Sequence, residues 1–156
     1  MTNGQECDII ILTNEREVDK MTKAYYFDMD GVLANFHKTK YEYTNAINRN
    51  WIANLDPFIE NIKLVRNLII SGEEVYIVSR AASENAKLGK FDWLAKYIPE
   101  LIADNIFVIV GSGKKTDYIK TDIAILIDDD IKNCKQWTKA GFDAIHLEIK
   151  GEIIRL

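Results

Sequence analysis

Two acidic clusters, a hundred positions apart in this 156-residue chain, hold the side chains whose types and spacing could do chemistry. Asp28-Met29-Asp30-Gly31 follows the apolar run at residues 24–27, and Asp128-Asp129-Asp130 follows another at residues 123–127. With 13 aspartates and 8 glycines in the chain, an Asp-x-Asp-Gly string arises by composition about 0.05 times, so the motif alone is only moderately specific. Its position straight after an apolar run, matched by a second acidic run after another, makes coincidence a poor account. If the two runs are neighbouring strands, their carboxylates lie about a strand spacing of ~4.8 Å apart. Carboxylates that close cannot all stay ionised without a counter-ion. A hard cation with oxygen ligands is the natural remedy, Mg²⁺ held by one or two carboxylates and a substrate phosphate being the common case. Ser79 and Arg80 end a third apolar run at residues 75–78, and Lys114 and Lys115 follow Gly-Ser-Gly after a fourth at Ile106–Val110. Solvated turns are the plain alternative for Asp30 and Asp128, and helix capping accounts for Asp130. Arg80 suits a phosphate contact and a rim salt bridge equally well.

Such residues need a scaffold that brings strand ends together. Five short apolar runs, at residues 24–27, 75–78, Ile106–Val110, 123–127 and 144–149, read as strands buried on both faces. Helical periods lie between them. Residues 58–70 follow Asp56-Pro57, a cap and then Pro at the first helical position, with Ile59, Ile62, Val65 and Leu68 inward and Gly72 past the end. Ser83 is the expected cap of a helix bearing Leu88, Phe91, Leu94 and Ile98 and stopped by Pro99. Asp130 is that of a helix with Ile131, Cys134 and Trp137 inward, ended by Gly141. Strands alternating with helices predict an α/β fold with a parallel sheet covered on both sides. In such sheets ligands bind beyond the carboxyl ends of the strands, where the acidic clusters fall. Residues 1–20 read as an N-terminal extension, an edge strand or a loose segment, and residues 37–56 as a small, mainly helical insertion. The fold proper is expected to begin near residue 21.

Composition narrows the rest. The chain is 47% hydrophobic and 28% charged, ordinary globular values, and its length suits one domain. No apolar run approaches the ~20 residues of a membrane span, and no secretory signal is seen, so a soluble, cytoplasmic protein is expected. A net charge of −4 disfavours a long nucleic acid as partner without forbidding a local basic site. Cys7 and Cys134 form neither a disulfide framework nor a metal spacing. His37 reads as a loop residue, His146 as a half-buried strand residue, and Trp51, Trp93 and Trp137 as packing. Trp51, with Tyr41 and Tyr43, is the candidate exception.

The ordered set FDMDGVLANF, YIVSRA, GSGKKTDYI and ILIDDD resembles the four motifs of the haloacid dehalogenase (HAD) superfamily of phosphatases, over roughly residues 24–149. Between Pro57 and His146 the chain is most similar to the pyrimidine 5′(3′)-deoxyribonucleotidase group. The resemblance implies a Rossmann-like three-layer sandwich with a mainly parallel five-stranded sheet in the order 5-4-1-2-3 and a helical cap at about residues 37–56. It also implies a Mg²⁺-dependent phosphomonoester hydrolase. Asp28 would be the nucleophile that becomes an aspartyl-phosphate, and Asp30 the general acid and base. Ser79, Arg80 and Lys115 would bind phosphate, Lys115 being preferred to Lys114 because Lys-Thr matches the family pattern. The Asp28 carboxylate, the Asp30 backbone carbonyl, Asp128 and Asp129 would hold the metal.

The substrate this implies is a small phosphorylated molecule, a nucleotide or deoxynucleotide 5′- or 3′-monophosphate. The insertion is short for a full nucleoside lid, which keeps open a polynucleotide 3′-phosphatase or another small-molecule phosphatase. A phospho-accepting switch domain of the receiver type is the rival from another class. Its acidic pair, acceptor and lysine come in a different chain order, and it has no need of an acid two residues after the nucleophile.

Overall fold

The computed structural model describes residues 21–36 and 46–156. The expected N-terminal extension at residues 1–20 lies outside them, as do residues 37–45 of the insertion with His37, Tyr41 and Tyr43. In chain order the elements are β1 (Lys23–Phe27), α1 (Arg49–Ala53), α2 (Ile59–Ile70), β2 (Glu74–Ala81), α3 (Glu84–Tyr97), β3 (Ile106–Val110), β4 (Ile123–Asp128), α4 (Ile131–Lys139) and β5 (Asp143–His146). Short 3₁₀ turns at Ala103–Asn105 and Lys115–Tyr118 precede β3 and β4. The sheet runs β3-β2-β1-β4-β5, which read from its other edge is 5-4-1-2-3, and every pairing in it is parallel. No helix among the described residues is long and apolar enough to cross a membrane.

Alternation along β1 divides the core into two. Tyr25 and Phe27 face a cluster that takes in Ile62 and Val65 of α2 and Trp93 and Leu94 of α3. Ala24 and Tyr26 face the opposite cluster with Leu126 of β4 and Trp137 of α4. Helices therefore cover both faces, as strands with little polar alternation require. Trp93 and Trp137 are fully buried, and each indole N–H finds a carbonyl, Leu55 O at 2.8 Å and Ala124 O at 3.1 Å. Burying such a ring removes roughly 150–250 Å² from water, on the order of 4–6 kcal/mol.

Three helix expectations need correction. The helix after Pro57 starts two residues later, with Phe58 at its N-cap, because Pro57 bridges back to Ala34 and Phe58 N–H is committed to Leu33 O at 2.8 Å. Its first expected core residue, Ile59, is exposed, while Asn61 is buried in its place. On α3 the Ser83 cap is present, its hydroxyl accepting from Ala86 N–H at 3.1 Å, but Leu88 is exposed and the inward face carries Ala86, Gly89, Lys90, Trp93 and Leu94. The reason is α1. Its Arg49 carbonyl and Ile52 side chain press on Gly89, where any Cβ would collide with them, and Arg49 pairs with Asp92 at 2.6 Å. That contact turns Lys90 toward the sheet. Asp130 caps α4 as expected, accepting from Lys132 N–H at 2.9 Å, and Cys134 and Trp137 are buried, whereas Ile131 is exposed.

Candidate functional site

Strand pairing alone assembles most of the site. Phe27 lies opposite both Ile77 and Ile127, so β1 and β4 end within one residue of each other while β2 runs on to Ala81 beside them. Asp28 follows β1, its N–H bonded to Ile127 O at 2.9 Å; Asp128 ends β4 beside it; Ser79 stands near the end of β2. Beyond Asp28 the chain turns tightly, with Leu33 and Ala34 N–H groups both on Met29 O at 2.8 and 2.9 Å. Met29, Val32 and Leu33 are fully buried and anchor this loop, which leaves Asp30 at its rim. Gly31 has φ +78, and a Cβ there would overlap the Asp129 carboxylate. Only glycine lets the two acidic segments approach so closely.

The carboxylates meet two buried lysines. Lys115 Nζ lies 3.0 Å from Asp28 Oδ1 and 2.6 Å from Asp128 Oδ2. Lys114 is exposed, so of the two lysines it is Lys115 that reaches the cluster. Lys90, which the sequence reading missed, is 1% exposed and donates to Asp30 Oδ2 at 2.7 Å and to Ser79 Oγ at 2.9 Å. An ammonium has donors and no acceptor, so Ser79 must accept there and keeps its own proton for another partner. Asn133, also unforeseen, donates to Asp128 Oδ2 at 3.0 Å, and Asp130 N–H to its Oδ1 at 2.8 Å. Arg80 points its guanidinium at the carbonyls of Gly111 (3.3 Å) and Gly113 on the Lys115 loop. His146 ends β5 half-buried, as read, with Nε2 3.2 Å from Asp129 O.

These contacts pull the acids in different directions. Burial works to raise the Asp28 carboxyl, but Lys115, Lys90 and a hydrogen bond from Ser79 prevail and hold it below the ordinary aspartate value. Asp30 goes the other way, raised by burial and by Asp28 against the opposition of Lys90. Burial and Asp28 push Asp128 up to about 6, and the same two causes raise Asp129. Burial works to lower the Lys115 ammonium, yet Asp28 and Asp128 outweigh it and keep it above the ordinary lysine value.

The residues fit a divalent cation. One oxygen each from Asp28, Asp128 and Asp129 lies within 4.8 Å of the others. Asp28, Asp30, Asp128 and Asp129 face two buried ammonium groups, so the fully ionised cluster carries two surplus negative charges. Apart from the ion pair of Asp28 Oδ1 with Lys115, Asp28 Oδ1 and Asp30 Oδ1 are buried with no hydrogen bond among the described residues, as oxygens reserved for a ligand would be. Hard oxygen donors suit Mg²⁺.

The cluster opens into a cleft of about 460 Å³, walled also by Phe36, Ile131, His146 and Lys150. A side pocket of about 260 Å³ adjoins it at Asp30, lined by Phe36, Ala46, Ile52, Ala81, Ala82 and Ala86. A larger groove of about 600 Å³ between α1 and α3 is lined by Asn48, Arg49, Asn50, Asn85 and Asp92 and lies apart from the acidic cluster. No protein-family model matches the chain, and no curated protein is significantly similar to it.

Proposed function

We propose that this chain is a soluble, cytoplasmic Mg²⁺-dependent phosphomonoester hydrolase of the HAD type, on a Rossmann-like sandwich, working through an aspartyl-phosphate. One observation carries the reading: Asp28, Asp30, Ser79, Lys115, Asp128 and Asp129 converge at the carboxyl edge of a 5-4-1-2-3 sheet, in the motif order of that superfamily.

Asp28, the one carboxylate of the cluster's four held below its ordinary value, is the nucleophile. Its oxygen attacks phosphorus, the bond to the leaving alkoxide breaks, and Asp30 delivers a proton to that oxygen. The upward shift of Asp30 suits a group that gives up a proton and takes it back. Asp30 then takes a proton from water, which hydrolyses the aspartyl-phosphate and frees Asp28. Ser79, whose oxygen accepts from Lys90, keeps a hydroxyl proton that turns from Asp28 to a phosphoryl oxygen. Lys115 supplies positive charge beside Asp28 where the transferring group gains negative charge. Asp28, the Asp30 carbonyl, Asp128 and Asp129 would hold the metal, which when bound neutralises charge between an anionic nucleophile and an anionic phosphate. Arg80, at the rim, swings from the Gly111 and Gly113 carbonyls onto phosphate.

The substrate class is a small phosphomonoester with an apolar body beside its phosphate, for which the side pocket next to Asp30 gives room. A nucleoside or deoxynucleoside 5′- or 3′-monophosphate is the favoured member. A panel of phosphomonoesters, a deoxynucleoside monophosphate and a 3′-phosphorylated oligonucleotide among them, assayed with Mg²⁺ and with chelator, tests this. Mg²⁺-dependent phosphate release that disappears in Asp28→Asn is expected. Activity that survives chelation, or survives in that variant, refutes it.

A further inference from the structure

The loop from Met29 to Phe36 holds Asp30, yet few of its backbone groups are satisfied within a helix or strand. Four of its carbonyls are met from elsewhere. Gly31 O accepts from Gly151 N–H at 2.9 Å, Val32 O from Asn61 Nδ2 at 2.8 Å, Leu33 O from Phe58 N–H at 2.8 Å, and Phe36 O from Lys150 Nζ at 2.9 Å. Two of these donors belong to the segment that follows β5.

That segment starts beside the other acidic cluster, where Leu147 N–H bonds Asp128 O at 2.9 Å. It is pinned at both ends by buried apolar residues, Leu147 and Ile154. Asn61, 1% exposed on α2, is its hub. The carboxamide donates to Val32 O and to Glu152 O at 2.9 Å and accepts from Ile154 N–H at 3.1 Å. A buried carboxamide costs free energy unless its capacity is used, and here three bonds use it to tie tail and loop together. Gly151 sits at φ +71 against the Phe58 ring, where a Cβ would overlap that ring. The fit leaves the tail one place to lie.

We infer that residues 147–156 form a clamp that sets the Asp30 loop against the Asp128 strand end, with Asn61 and Gly151 as positioning residues of the hydrolysis proposed above. The inference rests on that reading for its catalytic consequence, and on the backbone contacts for its mechanical one. The two can be separated by experiment. Asn61→Asp keeps the shape but removes both donated bonds, and Gly151→Ala drives the tail off the Phe58 ring.

In the full chain with saturating Mg²⁺, each variant is expected to lower kcat about 10–100-fold with KM changed less than about threefold, the scale of a small misplacement of a reacting group. Amide hydrogen exchange read in parallel should speed up at Gly31, Leu33 and Ala34 and stay unchanged at Tyr25 and Tyr26 of β1. Unchanged exchange at the loop amides, or equal acceleration in β1, overturns the clamp. Should Asn61→Asp fail to fold, Gly151→Ala on the tail decides alone. If the wild-type chain hydrolyses no phosphomonoester the phosphatase reading falls, and the exchange pattern still decides whether the tail clamps the loop.

Discussion

Asp122 and Asp128 stand at the two ends of β4, six positions apart, and have opposite electrostatic fates. Asp122, at the amino end, is exposed and accepts from Thr22 N–H and Oγ, both at 3.0 Å; these bonds hold its carboxyl below the ordinary value. Asp128, at the carboxyl end, is fully buried, shares Lys115 with Asp28, and is pushed up to about 6. One end of the strand uses its aspartate to fasten the start of β4 to Thr22, just ahead of β1. The other concentrates negative charge that the fold does not neutralise, and such an imbalance marks a binding site rather than a structural one.

The largest contrast should appear in turnover. Asp28→Asn is expected to remove phosphate release by ~10³-fold or more with the circular-dichroism spectrum unchanged. Asp122→Asn should leave turnover as it is; equal losses in both would erase the distinction between the ends. Next comes stability. Lys115→Met leaves Asp28 and Asp128 facing each other and should cost about 3–5 kcal/mol in urea unfolding. Lys90→Met should cost less, since Asp30 at the cleft rim can take up a proton instead. Mg²⁺ should then raise the melting temperature of the wild-type chain, by about 2.7 kcal/mol of stabilisation at a hundredfold excess over its Kd, and leave Asp128→Asn unmoved.

The smallest effect is in pH dependence. In metal-free protein Asp128 binds a proton more tightly folded than unfolded, so its contribution is present below the ordinary value near 3.8 and is lost as pH rises through about 6. Asp122, with its lowered value, contributes stability above the ordinary value that is lost as pH falls. Melting curves between pH 4 and 6 should therefore flatten in Asp128→Asn. An unchanged slope would show that Asp128 does not titrate there.

Much of this arrangement was legible in the residues. Asp28, Asp128 and Ser79 each end or follow an unbroken apolar run, and a parallel sheet must put such ends on one edge. The motif alone favours Lys115 over Lys114; the 3₁₀ turn Lys115–Tyr118 is what turns it inward. Lys90 was not legible, because apolar spacing on its helix points to Leu88 and Phe91. The helix is set instead by Gly89 lying flush on Arg49 and Ile52, a contact from the preceding insertion that no local pattern encodes. Asn61 escaped notice for a like reason: its partners are carbonyls and an amide far off in the chain, and nothing about an asparagine among isoleucines announces them. Asn133 reaches the site because the first turn of α4 folds it back over the end of β4, and Lys150 because the tail crosses to the Phe36 carbonyl.

Gly31 joins these themes through an atom it does not have. Because the Asp129 carboxylate occupies the space a methyl group would need, the separation between the two halves of the charged cluster is set by an absence on one side and a carboxylate on the other. In a library sampling every amino acid at that position, alanine should fare nearly as badly as tryptophan, since the first carbon added already wedges the halves apart.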